Sequence, residues 1–415
     1  MPSDFAVPRL WPEVGVPDED GIPFGGHKLV RKIAVGGMAE VYLALRCGEF
    51  GFRRHEVIKV LLPRLAKHQD FVDMFIREAV LAAEFRHPNL VQIYDVGRES
   101  DLYYIDMEFA DGVDLMRLVR RCRTTGKPLS LDFVLAVVAQ VAEALTAVHE
   151  ATSADGRPLD IVHRDVTPQN LMVGFDGQVK VVDFGVAQSL LAEAHAEQAL
   201  LGKGPYMAPE QWTADAVDRR ADIFALGVVL YELTVGRRLF KRTSPEATKK
   251  AILSGDIPRP SRVRPGFPPE LEEVILHCLA LDPRDRYPTT RAMRLAIEEV
   301  QFGLGGALHR DEMAQWLDEL FAGTDRNDLW PKLDLTAPGQ LSEADEALRR
   351  ATMKLPLFND DESSSGLAIT ELSNRRKQAR RGDEGGHVSH GALLGAAAAG
   401  ALVGAGLMGL LWALL

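Results

Sequence analysis

The apolar rhythm of this chain changes once, near Gly112, and that change restricts its architecture more than any other feature. Before it, apolar and polar residues alternate in short runs, "EVIKVLL", "LVQIYDVG" and "DLYYIDMEF", the period-two signature of strands. One helical stretch interrupts them. In "DFVDMFIREAVLAAEF", Val72, Phe75, Ile76, Ala79, Val80 and Ala83 recur at helical spacing. After Gly112, "LDFVLAVVAQVAEALTAVHE" and "ADIFALGVVLYELTVG" are long, strongly apolar helices of the kind that fill a larger body. The pattern predicts an α+β chain: a strand-rich small lobe, a helix-rich large lobe, and a cleft between them where a ligand would sit.

Hydrophobic residues at 46% and charged residues at 26% give a globular balance. A net charge of -11 argues against a nucleic-acid partner, because counterion release needs a basic face. Cys47, Cys122 and Cys278 are scattered and odd in number, which fits a reducing cytoplasm and neither a disulfide framework nor a zinc site. The N-terminus has no cationic region followed by an apolar core, so it does not read as a signal peptide.

The other end differs. Residues 391–415, "GALLGAAAAGALVGAGLMGLLWALL", carry no charge. As a helix they would be about 37 Å long, enough to cross a hydrocarbon core of about 30 Å. The basic run "NRRKQARR", residues 374–381, would stay on the cytoplasmic side. A Gly/Ala-rich tail in water is the competing reading, and unbroken apolarity of this length disfavours it. Ala396, Gly400 and Gly404 share one helical face, so an anchor here could pair two copies into a homodimer. Glycines scattered through an Ala-rich segment look the same. The expected organisation is a leader over 1–26, a globular domain over 27–303, a helical extension over 304–355, an acidic then basic linker over 356–390, and a transmembrane helix over 391–415. Within the globular domain the small lobe would span 27–107, a hinge 108–112 and the large lobe 113–303.

Several short stretches carry chemistry. In "IAVGGMAEVYLA" small residues could bring backbone N–H groups close to phosphate oxygens, although a plain Gly-Gly hairpin reads the same. Lys59 interrupts an apolar strand and needs either a solvated head or a buried partner. "HRDVTPQN" and "VKVVDFG" bring Asp165, Asn170 and Asp183, two carboxylates and a carboxamide. Taken in order with "MEFADG", "GPYMAPEQW" and "LDPRDRYP", these stretches resemble the bacterial, eukaryotic-like (Hanks-type) Ser/Thr protein kinases over residues 27–303, roughly two-thirds of the chain.

The resemblance implies the two-lobed protein kinase fold, ATP and magnesium as cofactors, and protein substrates. Ala34, Val35, Gly36, Gly37 and Val41 would cover the phosphates. Two glycines of the family's G-x-G-x-x-G-x-V are alanine here, Ala34 and Ala39, which gives up freedom at φ > 0 and exposes nucleotide affinity to doubt. Lys59 would pair with Glu78 and reach the α- and β-phosphates; alone, Glu78 reads equally as a solvated helix face. Met107 would close the back of the pocket, and Glu108 and Ala110 would meet the adenine edge. Asp165 matches the base that receives or orients the substrate hydroxyl, and Asn170 and Asp183 match the metal ligands. Glu210 would pair with Arg286, and Asp222 would hold the catalytic-loop backbone.

One position departs from the family. Its pattern places lysine where this chain has Thr167, while Lys203 stands where the family has a threonine. The two residue types look exchanged, so Lys203 could reach Asp165 from the opposite side; an exposed loop lysine beside a tolerated threonine is the alternative. The loop between Phe184 and Ala208 holds only two hydroxyls, Ser189 and Tyr206, and the acids Glu193 and Glu197. Weak dependence on loop phosphorylation is expected, with an acid facing Arg164. A pseudokinase, binding nucleotide as a membrane-bound scaffold without turnover, is the competing reading for the whole chain.

Overall fold

The computed structural model describes residues 21–183, 204–329 and 335–339, apart from Pro128, Ala154, Ala214, Thr243 and Gly305. Most of the leader, the linker, the expected transmembrane helix with Ala396, Gly400 and Gly404, and Ser189, Glu193, Glu197 and Lys203 lie outside the described residues.

Alternation in the first third produces one antiparallel sheet. Its strands are β1 (Ile22–Phe24), β2 (His27–Val35), β3 (Ala39–Cys47), β4 (Arg53–Leu61), β5 (Ile93–Glu99) and β6 (Leu102–Glu108), in the order β1-β2-β3-β4-β6-β5. Residues 22–24, assigned to the leader on composition, pair with β2 from Ile22 opposite Leu29 to Phe24 opposite His27. Two helices follow β4: α1 (Pro63–Ala66) and α2 (Gln69–Ala83). The apolar stripe of α2 buries Val72, Phe75, Ala79 and Ala82, and the helix packs on β5 and β6. The opposite sheet face has its own cluster of Phe24, Leu29, Tyr42, Ala44, Ile58, Val60 and Tyr104.

The second half is helical around a small sheet of β7 (Gly112–Asp114), β8 (Leu171–Gly174) and β9 (Val179–Val181). Its helices are α3 (Leu115–Thr125), α4 (Leu131–His149), α5 (Pro209–Thr213), α6 (Arg220–Val235), α7 (Pro245–Leu253), α8 (Pro260–Val263), α9 (Pro269–Cys278), α10 (Thr290–Gly303) and α11 (Arg310–Leu320). Ser130 starts α4 by accepting the Phe133 N–H on its hydroxyl. Among the described residues α4 is the one helix long and apolar enough to span a membrane, and it forms the core of the large lobe instead. Helix α6 crosses α9 so closely that a Cβ on Gly227 would stand 2.6 Å from Cys278 Cβ. All three cysteines are free thiols.

The extension docks on the large lobe. Helix α11 buries Met313, Leu317 and Leu320, and the Trp316 ring lies 4.3 Å from that of Phe133. Arg121 Nε of α3 donates to the Leu320 carbonyl at 3.1 Å. Past the helix, Arg326 reaches Asp111 beside the interlobe connection at 3.0 Å.

Candidate active site

Three segments bring charged side chains together at the cleft. Strand β4 places Lys59, α2 places Glu78, and the segment after β9 places Asp183. Lys59 Nζ stands 2.7 Å from Asp183 Oδ1 and 3.5 Å from Glu78 Oε1. Burial alone would discharge this ammonium, but Asp183 and then Glu78 outweigh it and hold its pKa above the ordinary lysine value. Glu78, ambiguous on sequence, is thus a nearly buried partner and not a solvated helix face. The side chain of Asp183 remains 41% exposed, so it faces the cleft.

The loop before β8 supplies a second pair. Asn170 Nδ2 donates to Asp165 Oδ2 at 2.6 Å and to the Asp165 carbonyl at 3.0 Å. One backbone bond ties the two pairs together: Val182 N–H donates to the Asn170 carbonyl at 2.9 Å, one residue before Asp183. Thr167 is buried in the same loop and its carbonyl accepts the Asn170 N–H at 2.9 Å. Lys203 lies outside the described residues, so its relation to Thr167 stays an expectation.

Two site residues sit in the left-handed region, Arg164 at φ +64° and Asp183 at φ +54°. Aspartate tolerates that region better than most side chains, but arginine does not, and the strain at Arg164 needs support from its surroundings. Asp222 provides it at Arg164. Its carboxylate accepts the backbone N–H groups of His163 and Arg164, each at 2.8 Å, and contacts His149 Nε2 at 2.7 Å. Burial opposes this charge, yet His149, His163 and the backbone bonds hold the Asp222 carboxyl below its usual range. His163, fully buried, has its pKa pushed down by desolvation.

The phosphate-loop candidate is a tight β2–β3 turn. Gly36 N–H donates to the Ala39 carbonyl at 2.8 Å. No residue from Ala34 to Ala39 has positive φ, so Ala34 and Ala39 cost the turn no strain. Val35 is buried beneath it and Val41 follows on β3, opposite Lys59 of β4. At the hinge, Met107 is buried against the pocket that Lys59, Glu78 and Asp183 also line. The Glu108 N–H is taken by the Gln92 carbonyl at 2.8 Å, and its side chain by Lys180 at 2.7 Å. Glu108 could therefore meet a purine edge only through its carbonyl. Ala110, half-buried, follows two residues on.

Residues 27–296 match the protein kinase domain family. The chain belongs to that family. It is 45% identical over 277 residues to the tyrosine-protein kinase MasK of Myxococcus xanthus, covering 66% of this chain and 43% of that protein. It is 35% identical over 275 residues to the serine/threonine-protein kinase PrkC of Bacillus subtilis, covering 66% of this chain and 40% of that protein. The chain thus spans less than half the length of these relatives. The PknI kinase domain of Mycobacterium tuberculosis has a similar structure, with a TM-score of 0.51, 29% identity, and cover of 67% of this chain and 97% of that one. Protein kinases use ATP and magnesium.

Two further polar clusters are buried in the large lobe. Arg286 grips both carboxylate oxygens of Glu210 at 2.8 and 2.9 Å, deep in the large lobe. Tyr206, one of the two loop hydroxyls, is buried and donates to Glu232 at 2.9 Å, with Arg238 beside both. Sequence reasoning missed Arg64, whose Nη2 donates to the Gly37 carbonyl at 2.8 Å, and Lys180 at the hinge glutamate. Nothing local marks either residue; tertiary placement alone makes them part of the site.

Proposed function

We propose that this chain transfers the γ-phosphoryl of MgATP to serine or threonine hydroxyls of proteins. The observation that carries the reading is the joint between two pairs, Lys59 with Glu78 and Asp183, and Asp165 with Asn170, linked through Val182. Phosphoryl transfer asks little covalent work of a protein and much positioning of charge. Lys59 supplies a cation that its two carboxylates keep protonated and oriented. Asp165, aligned by the Asn170 carboxamide, is placed to receive or orient the substrate hydroxyl. Asn170 gives its amide N–H groups to Asp165, which leaves its carboxamide oxygen as the atom to offer a cation. With the Asp183 carboxylate it forms an oxygen donor set of the kind magnesium takes. Bound there, magnesium would offset the charge that spreads over the transferring phosphate. The β2–β3 turn, Met107, Ala110 and the Glu108 carbonyl would hold the rest of the nucleotide.

Thr167 and Lys203 are proposed as an exchanged pair, with the lysine reaching Asp165 from the loop. The uncharged stretch 391–415 and the basic run before it support a single-pass anchor with the kinase domain on the cytoplasmic side, and Gly400 and Gly404 support pairing of two anchors.

Incorporation of label from radioactive ATP tests the reading, with Asp165→Asn as control and phosphoamino-acid analysis of the product. Labelled serine or threonine in the wild type, reduced about 10²- to 10⁴-fold in the variant, is the expected result. Similarity to a relative named as a tyrosine kinase favours a second reading, which phosphotyrosine alone in the product would select. Nucleotide binding without incorporation would select the pseudokinase scaffold.

A further inference from the structure

The outer face of the small-lobe sheet carries two charged side chains with no solvent access, Lys32 on β2 and Glu40 on β3. They flank the β2–β3 turn, Lys32 two residues before Ala34 and Glu40 directly after Ala39. Lys32 Nζ contacts Glu40 Oε1 at 3.0 Å. A buried ion pair persists only where its remaining donors and acceptors are met. Here they are met from far along the chain. Lys32 Nζ also donates to Thr336 Oγ1 at 2.7 Å, and Gly339 N–H donates to Glu40 Oε2 at 2.8 Å. Leu335 packs on the apolar cluster around Tyr42 and Ile58.

The same short segment reaches a third support of the turn. Gly339 has φ +84°, and a Cβ there would lie 2.8 Å from Cγ of Pro63. Pro63 opens α1, whose Arg64 donates to the Gly37 carbonyl at 2.8 Å. Leu62, just before it, donates its N–H to the Met38 carbonyl at 2.9 Å. Residues 335–339 therefore touch the strand entering the turn, the strand leaving it, and the helix whose arginine holds its tip.

We propose that residues 335–339 are a cis-acting ligand of the small lobe, and that their docking on Lys32, Glu40 and Pro63 fixes the β2–β3 turn and sets nucleotide affinity. The proposal rests on the turn being the phosphate loop of the proposed kinase. The segment touches no group placed in the transfer step, so its residues are positioning residues. Displacing them loosens the turn and weakens nucleotide binding while leaving Lys59, Asp165 and Asp183 in place.

The test uses the full chain with Gly339→Val, which meets both the left-handed backbone and Pro63, and Thr336→Val, which removes one hydroxyl acceptor of Lys32. Thr336→Ser keeps the hydroxyl and serves as the rescue. Amide hydrogen exchange over residues 33–41 should accelerate in the two disruptive variants and return to wild type in Thr336→Ser. The affinity for a fluorescent ATP analogue should fall, and KM for ATP rise, about five- to tenfold with kcat changed less than about twofold. Unchanged exchange and affinity in both disruptive variants would overturn the proposal, as would a kcat loss with KM unaltered. A wild-type chain that binds no nucleotide would instead defeat the kinase reading, and the exchange measurement would still decide whether the segment holds the turn.

Discussion

At the scale of single residues, His27 shows how charge is managed far from the cleft. Its Nδ1 meets the Gly25 carbonyl at 2.8 Å, while Nε2 faces two fully buried carboxylates, Glu56 at 2.7 Å and Asp106 at 3.2 Å. Only the imidazolium can donate from both nitrogens. Asp106 chiefly, with Gly25 and Glu56, raises the His27 pKa above the ordinary imidazole value, against the effect of burial. Arg54 on Glu56 and Arg46, 3.8 Å from Asp106, complete the local charge. A proton held more tightly folded than unfolded stabilises the lobe fully below the unfolded pKa of about 6.5, and that contribution disappears as pH rises through the higher folded value. The unfolding midpoint should therefore decrease as pH rises from the unfolded imidazole value of about 6.5 through the higher folded one, and His27→Gln should flatten that slope. Parallel profiles for the two proteins would remove the imidazolium. The catalytic loop offers a second residue-scale test. If Thr167 and Lys203 are exchanged roles, Thr167→Lys with Lys203→Thr should keep kcat within about tenfold of wild type, while Lys203→Ala alone loses more. A dead double variant beside an unaffected Lys203→Ala would refute the exchange.

At the scale of elements, α5 is five residues long and cannot hold itself in place. Glu210 pins it through Arg286, whose guanidinium also donates to the Ala280, Leu281 and Arg220 carbonyls and lies 4.9 Å from the Phe224 ring centre. Glu210→Ala would strand a buried cation at a cost of about 3–5 kcal/mol, whereas Glu210→Ala with Arg286→Met should cost less than the single change. Urea denaturation of the wild type, both single variants and the double variant measures this; a double loss equal to the sum of the two single losses would show that the pair is not coupled. The same contrast explains what the sequence made legible. β4, α2, α4 and α6 announce themselves because their apolar period is local and unbroken, and the Gly112 change of rhythm marks where the lobes meet. Asp165 and Asn170 share one loop, so their spacing could be read directly. Glu78 gained meaning only beside Lys59. Arg64, Lys180 and the Lys32–Glu40 pair had no local signature, because their partners lie in other elements. The left-handed backbone at Arg164 is likewise imposed from outside, by Asp222 on α6. Residues 22–24 escaped notice because three residues are too few for alternation to register.

At the scale of the whole molecule, the family boundary and the physical boundary differ. The family match ends at residue 296, yet α11 buries Met313, Leu317 and Leu320 against the large lobe and lays Trp316 on Phe133. Phe321 meets Phe175 edge-on at 5.8 Å, and Lys127 reaches Glu319 at 2.9 Å. Burying one such apolar side chain contributes about 1.5–3 kcal/mol before the entropy of ordering it is subtracted. A chain ending after Gly303 would expose the face around Phe133 and Phe175 to water, and should unfold well below the temperature of a chain ending after Leu329. The single change Leu317→Ala, at a site with no solvent access, should cost about 2–5 kcal/mol in the full chain. Both follow from one physical cause, so they must agree in sign. If Leu317→Ala were neutral while the shortened chain failed, the loss would belong to other contacts of residues 304–329, and those of Trp316 with Phe133 and of Arg326 with Asp111 would be the next to remove.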